Sequence, residues 1–403
     1  MKNMTYRLLT PQKGGFYLVL FMATVVIGLA LFSAWYMEHN GHWVTGMNNQ
    51  IVWGMPHVFA IFLIVAASGA LNVASIGTVF GRKAYKPLAR LSGVLAVSLL
   101  IGGLAVLVLD LGRPDRLIIA MTHMNYSSIF AWNILLYSGF VLIVGVYIWT
   151  QMDRLMEGWK GVAGIAAFIW RLVLTTGTGL IFGFLIAREA YDAAVLAPLF
   201  IAMSFALGLA VFVLVLSALG EWCDVPISDH LIARMGRLLG IFVVASLYFT
   251  VVQHLTGLYA AEHTAVERFV LLDGGVITIL FWVGQIAIGS LLPLALIFGS
   301  KADLKRGGLM LCAFLVVIGG FAQLYVIIIG GQAFPLVLFP GMEVSSSFYD
   351  GAYNTYSPSL PEVGLGVGGF AIAMGIAMVC MRVLRFIPVT LENSGADSEH
   401  SKP

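Results

Sequence analysis

Ten long, unbroken apolar runs decide what this chain can fold into. They lie at about 16–37, 51–80, 88–110, 127–149, 162–187, 196–219, 236–258, 274–298, 308–331 and 364–388. Each exceeds the roughly 18 residues that cross a bilayer as a helix. Their apolar residues run continuously and do not alternate as those of a membrane barrel do. Inside lipid a backbone has to satisfy its own hydrogen bonds, so each run is expected to be a helix. Only 10% of the 403 residues are charged, against about a quarter in a soluble domain. The expected fold is therefore all-α and polytopic, placed in the cytoplasmic (inner) membrane with lipid around it. The first run is long and no small-residue cleavage site follows it, so it reads as a retained helix.

Lys and Arg set the orientation. With the N-terminus cytoplasmic, seventeen of the 22 Lys and Arg fall on the cytoplasmic side. Arg113, Arg116, Arg188 and Arg268 fall on the other, and Arg171 lies within the fifth run. This predicts N-in and C-in, which suits an even number of spans. Residues 1–150 are expected to form a first four-helix unit and residues 151–300 a second. Residues 301–390 would add two helices and a long outward loop, and residues 391–403 a disordered polar cytoplasmic tail. The net charge of +2 points to no nucleic-acid partner. Cys223, Cys312 and Cys380 include no C-x-x-C pair. That leaves no ligand set for an iron–sulfur cluster in this chain, and no metal is expected.

One stretch breaks the avoidance of charge: VLVLDLGRPDRLIIAMTHMNYSSIFAWN, residues 106–133, between the third and fourth runs on the outward side. Two readings fit it. In the first, Asp110 ends a helix, Gly112 caps it and Pro114 stops it from resuming. Arg113 is then favoured by the helix dipole and placed to pair with Asp110. In the second, ionisable groups at membrane depth form a site that handles protons.

The motif LDLGRPDR, followed by H-x-N-x-x-S and a Trp-containing helix, resembles the signature of the NrfD family, the membrane subunits of polysulfide reductase-like complexes. Trp53-Gly54 before an apolar run with Gly69 and Ala70 resembles it too. The late stretch FPGMEVSSSFYDGAYNTYSPSLPEVGLGVGG is similar to a longer, ten-helix branch that includes DsrP-type subunits of sulfite reductase-linked complexes. The resemblance implies a quinone site, for menaquinone or ubiquinone, near the non-cytoplasmic face. It implies a helical subunit without its own metal or haem, in respiratory or sulfur metabolism. Electrons would pass between the quinone pool and a docked extracytoplasmic ferredoxin-like iron–sulfur subunit, with cytochrome and further membrane subunits beside it.

Quinone chemistry moves two protons with two electrons, so the head-group oxygens need partners that exchange protons near neutral pH. Asp110 and His57 are the expected pair, both at the outward ends of their helices. Arg113 would organise the turn, and Trp53, His123 and Tyr126 would line the site. His57 also reads as a plain helix-end histidine, and Asn125 as an ordinary loop residue. His39 and His42 are either surface proton acceptors or solvated loop histidines. Gln253, His254, Tyr259, Glu262 and His263 form a second cluster, read as structure or subunit interface in preference to a second pocket. Arg171 either snorkels or binds backbone carbonyls, or marks a polar path in the bundle. No Asp or Glu is expected at mid-membrane depth. Two other functions stay open: a haem b anchor using His57 and His254, read as the helical histidines, and a secondary transporter with broken helices.

Overall fold

The computed structural model describes residues 5–10, 15–299, 304–336, 351–389 and 391. Ten helices in it are long and apolar enough to cross a membrane: α1 Gly15–Asn40, α2 Met55–Thr78, α3 Lys83–Leu109, α4 Ile129–Met152, α5 Glu157–Gly183, α6 Leu196–Trp222, α7 Asp229–Tyr259, α8 Val276–Phe298, α9 Arg306–Ala333 and α10 Leu360–Val383. Two-residue strands at the two chain ends, β1 Tyr6–Arg7 and β2 Ile387–Pro388, pair antiparallel with Tyr6 opposite Pro388. The chain is thus an all-α multi-pass membrane protein.

Several helix ends differ from the apolar runs. α10 starts at Leu360, ahead of the run at 364, because Ser359 and Glu362 form a capping box with a proline in its first turn. α7 starts at Asp229, seven residues before its apolar run, with that acid in its first turn, where the helix dipole favours it. α5 ends at Gly183, short of 187. The expected tail lies outside the described residues except for Leu391, as do residues 337–350 of the long outward loop.

Packing arranges the helices around α2, which is buried over nearly its whole length. α2, α3, α4 and α5 pack as a ring, and α6, α7, α8 and α9 as a second. The rings meet mainly where α6 packs on α2 and α5. α1 packs on α10, and α10 also packs on α3. The packing therefore runs across positions 150 and 300. α5 closes the ring begun by α2, and α10 returns to the first helices.

Small residues make the crossings possible. A Cβ on Gly69 of α2 would lie 1.6 Å from the Ser204 carbonyl oxygen of α6. Gly289 and Gly319 do the same for α8 and α9, where a Cβ on Gly319 would lie 2.1 Å from Gly289 Cα. Such close backbone approach gives membrane helices the dispersion contact that lipid cannot supply. α8 and α9 both carry π-helical stretches, Leu280–Leu291 and Val326–Gly330.

Candidate functional site

The charged outward turn is built by three elements. α3 ends at Leu109, and Asp110 is its C-cap residue, its N–H bonded to the Val106 carbonyl at 3.1 Å. Gly112 adopts φ 67°, the left-handed turn that ends the helix. A Cβ there would come within 3.3 Å of the His42 ring, so the glycine also lets His42 close over the turn. His42 opens a short 3₁₀ turn, His42–Val44, after α1. His57 sits in the first turn of α2, behind Met55 and Pro56.

These elements converge on Asp110. Its side chain is 1% exposed. His57 Nδ1 stands 3.1 Å from Asp110 Oδ2, and His42 Nε2 stands 3.9 Å from Oδ1. Both contacts are at ion-pairing distance, yet the His57 contact lacks hydrogen-bond alignment and the His42 contact is too long for a hydrogen bond. Among the described residues both Asp110 oxygens, His57 Nδ1 and His42 Nε2 are buried without a hydrogen-bond partner. Native structures rarely tolerate orphaned buried polar atoms, and each one calls for an explanation. Asp110 lies at the negative end of α3, where a carboxylate is disfavoured, and beside the positive end of α2, where it is favoured.

Trp53 forms an aromatic wall behind His57. The two rings stack with centroids 6.1 Å apart. Phe182, Phe130 and Tyr191 close around the same indole at 5.7, 6.1 and 6.3 Å. Asp110, His57 and Trp53 are thus brought together as the sequence predicts, and His42 joins them. The glycine at 112 was the available sign of that close approach.

Other expected members stand elsewhere. Arg113 pairs with Asp115 at 3.1 Å and not with Asp110, because the turn at Gly112 sends its exposed side chain away from the helix end. That pair holds the Asp115 carboxyl below its ordinary range, by hydrogen bond and by charge. His123 is exposed and bonds the Thr122 hydroxyl. Tyr126 is 68% exposed, and its backbone carbonyl accepts from the Trp132 indole. His39 stacks on Trp35.

The second cluster is real but separate. His254 Nδ1 lies 2.6 Å from Glu267 Oε2, and Glu267 is buried. Below it, the amides of Gln285 and Gln323 both point to the Thr250 hydroxyl, at 3.5 and 3.2 Å. Two cavities of about 20 and 40 Å³ share these glutamines in their walls, enough room for ordered water. Helical histidines also number more than two, since His39 and His230 lie in α1 and α7.

Arg171 is fully buried. It donates to Asn72 Oδ1 at 3.0 Å and lies between the rings of Phe168 and Phe205. It does not snorkel. Sequence reading also passed over Gln332 at the end of α9, Tyr356 in the long loop and Glu362 in the first turn of α10. Ser359-x-x-Glu362 was a readable helix-start pattern.

Comparison with known proteins gives this arrangement its kin. The chain is 27% identical to the Hdr-like menaquinol oxidoreductase integral membrane subunit of Archaeoglobus fulgidus, over 93% of this chain and 94% of that one. It is 24% identical to a selenate reductase subunit of Mesobacillus selenatarsenatis, over 89% of this sequence and 91% of that one. It is 27% identical to a polysulfide reductase chain of Wolinella succinogenes, over 71% of this sequence and 96% of that one. Residues 43–336 match the family described as polysulphide reductase, NrfD. That span holds every residue of the Asp110 cluster except His42, one position before its start, and the chain belongs to the NrfD family.

Proposed function

We propose that this chain is the membrane subunit of a quinone-linked oxidoreductase complex, and that Asp110 and His57 bind the quinone head group and exchange its protons. The observation that carries this is the buried Asp110 carboxylate. It faces two imidazoles at the outward membrane surface, and all three lack aligned hydrogen bonds. Those orphaned atoms suit a head group with two oxygens that alternate between accepting and donating. When bound, a quinone supplies two-electron, two-proton redox chemistry. The chain's own part is to hold the ring against Trp53, offer His57 and Asp110 as proton partners, and pass protons to His42 near the surface.

The outward position supports an extracytoplasmic iron–sulfur subunit as the electron partner, with cytochrome and further membrane subunits in the complex. The relatives are named as subunits of a menaquinol oxidoreductase and of selenate and polysulfide reductases. We infer menaquinone as the quinone from the first of these. The DsrP-type assignment, in sulfur metabolism, rests on the late motif and on the even coverage of the Archaeoglobus relative. His57 and His254 each face their own carboxylate, so a haem b anchor draws no support from them.

The test is binding of a menaquinol analogue to the assembled complex, and menaquinol-dependent reduction of the partner's iron–sulfur centre. Asp110→Asn and His57→Ala should each slow reduction by about a hundredfold or more, the usual contribution of a positioned proton-transfer group. Full turnover in both variants would remove the site assignment.

A further inference from the structure

Residues 46–56, which lead into α2 and carry Trp53, fold on a local turn in which Asn48 accepts from the Gln50 and Ile51 N–H groups, and are fastened at Gly46, Val52, Trp53 and Met55 by side chains from far along the sequence. The buried Gln332 side chain brackets Trp53. Its Oε1 accepts from the Val52 and Trp53 N–H groups, each at 3.0 Å, and its Nε2 donates to the Trp53 carbonyl at 3.0 Å. A little upstream, Gln50 accepts from Asn354 at 2.8 Å, and the Gln50 carbonyl accepts from Arg188 at 2.7 Å.

The start of α2 is held in the same way. Its N-cap is Gly54, which has no side chain to satisfy the first-turn N–H groups. The Tyr356 hydroxyl does so from 301 residues away, accepting from the Met55 N–H at 2.6 Å. The same hydroxyl donates to Glu362 Oε1 at 2.6 Å. Glu362 Oε2 accepts from Gly46 and Ser359 N–H at 2.8 and 2.7 Å. Glu362 is fully buried, and a Cβ on Gly54 would lie 2.5 Å from its Oε1. So one carboxylate sits at the positive ends of both α2 and α10, where the helix dipole favours it. Burial and the neighbouring carboxylate push the Tyr356 hydroxyl well above the usual tyrosine range, so it remains a donor.

We propose that Gln332, Tyr356 and Glu362 are positioning residues of the head-group site, setting through the backbone of residues 46–56 where the Trp53 and His57 rings stand. Tyr356 and Glu362 lie beyond residue 336, where the family match ends. The last loop and α10 therefore supply two of the three clamp residues from outside the matched region, and Gln332 supplies the third from within it. This rests on the head-group reading of Asp110 and His57, but half of its test does not.

The test uses Tyr356→Phe, which keeps the ring, and Glu362→Gln, which keeps the size, in the assembled complex. The first readout is independent of turnover: amide hydrogen exchange over residues 46–57 and the rate of His57 modification by diethyl pyrocarbonate. Both should rise about tenfold in each variant. The second is kinetic, with Asp110→Asn and His57→Ala alongside. KM for a menaquinol analogue should rise about tenfold, since small misplacements of binding groups are costly. Wild-type exchange, His57 reactivity and KM in a variant that assembles would overturn the proposal. So would loss of yield or melting temperature alone, because that is what a merely structural bond predicts. If Asp110→Asn and His57→Ala both keep full turnover, the head-group reading falls, and exchange over residues 46–57 still decides whether the clamp exists.

Discussion

The α2–α6 crossing sets a sharp condition on the fold. At Gly69 an added Cβ would stand 1.6 Å from the Ser204 carbonyl oxygen, well inside the 3.4 Å at which ordinary contact begins. The atom it meets is backbone, so no rotamer change relieves the overlap. Gly208 is no escape, since a Cβ there would lie 2.0 Å from the Gly69 carbonyl carbon. Gly69→Ala must therefore push two central helices apart by more than an ångström. A radial gap of 0.5–1 Å already forfeits about a quarter to a half of each dispersion contact, and overpacking a tight core costs about 1–3 kcal/mol. With backbone on both sides the upper end applies, about 3 kcal/mol. That should lower the apparent melting temperature of the detergent-purified protein by about 3–4 °C, given the large unfolding entropy of a chain this long. Gly145→Ala is the control, because nothing lies within 4 Å of its Cβ position on α4. There the better helix propensity of alanine should leave the melt unchanged or raise it slightly. Melting by fluorescence-detected size exclusion reads both. If Gly69→Ala melts with Gly145→Ala, the close α2–α6 approach is wrong.

Three further expectations follow from the buried polar groups. Glu267→Gln, which removes the charge facing His254 at 2.6 Å, should destabilise the protein by about 1–3 kcal/mol while menaquinol turnover per assembled complex stays at wild type; a turnover collapse would make the second cluster part of the site. Asn72→Leu strips the buried Arg171 of its side-chain acceptor and should lower the melt by the equivalent of about 3 kcal/mol, whereas the double variant with Arg171→Met should recover it, since apolar residues often replace buried charge without loss. Failure of that recovery would show that the guanidinium is needed for folding. Tyr356 titrates far above the working range because burial and Glu362 disfavour its anion; the hydroxyl's contribution is present below its raised pKa and lost only above it, so the kinetic deficit of Tyr356→Phe should be constant from about pH 6 to pH 9. A deficit that vanishes within that window would mean the hydroxyl ionises there.

Much of this molecule was readable because a bilayer leaves a backbone few choices. Every apolar run became a helix long and apolar enough to span, and the count of Lys and Arg is what assigns Asp110 and His57 to the outward side. Their meeting was readable as well. α2 and α3 are antiparallel neighbours, so the start of one and the end of the other share a depth. Where reading failed, the cause was local geometry or distance in sequence. Arg113 was expected beside Asp110, but the left-handed Gly112 reverses the chain between them and Asp115 takes the guanidinium. His123 and Tyr126 follow the motif closely in sequence, yet their loop carries them into the open. The Gly46–Glu362 bond spans 316 positions, and no periodicity in either segment announces it.

The two buried carboxylates at the outward surface show why one position reads as structure and the other as chemistry. Glu362 and Asp110 are both withdrawn from solvent. A buried carboxylate is costly unless its oxygens are matched by donors. Glu362 has three donors, from Gly46, Ser359 and Tyr356, so both oxygens are satisfied and its charge is spent on fixing two helix ends. Asp110 has imidazoles at 3.1 and 3.9 Å and, among the described residues, no aligned donor. A protein that can match a buried carboxylate so fully at one position has left another unmatched at the same membrane surface. The cheaper arrangement was open to it, since asparagine or leucine at 110 would still end the helix. That contrast is what supports the proposed head-group site at the unmatched Asp110, and the proposed positioning role for the matched Glu362.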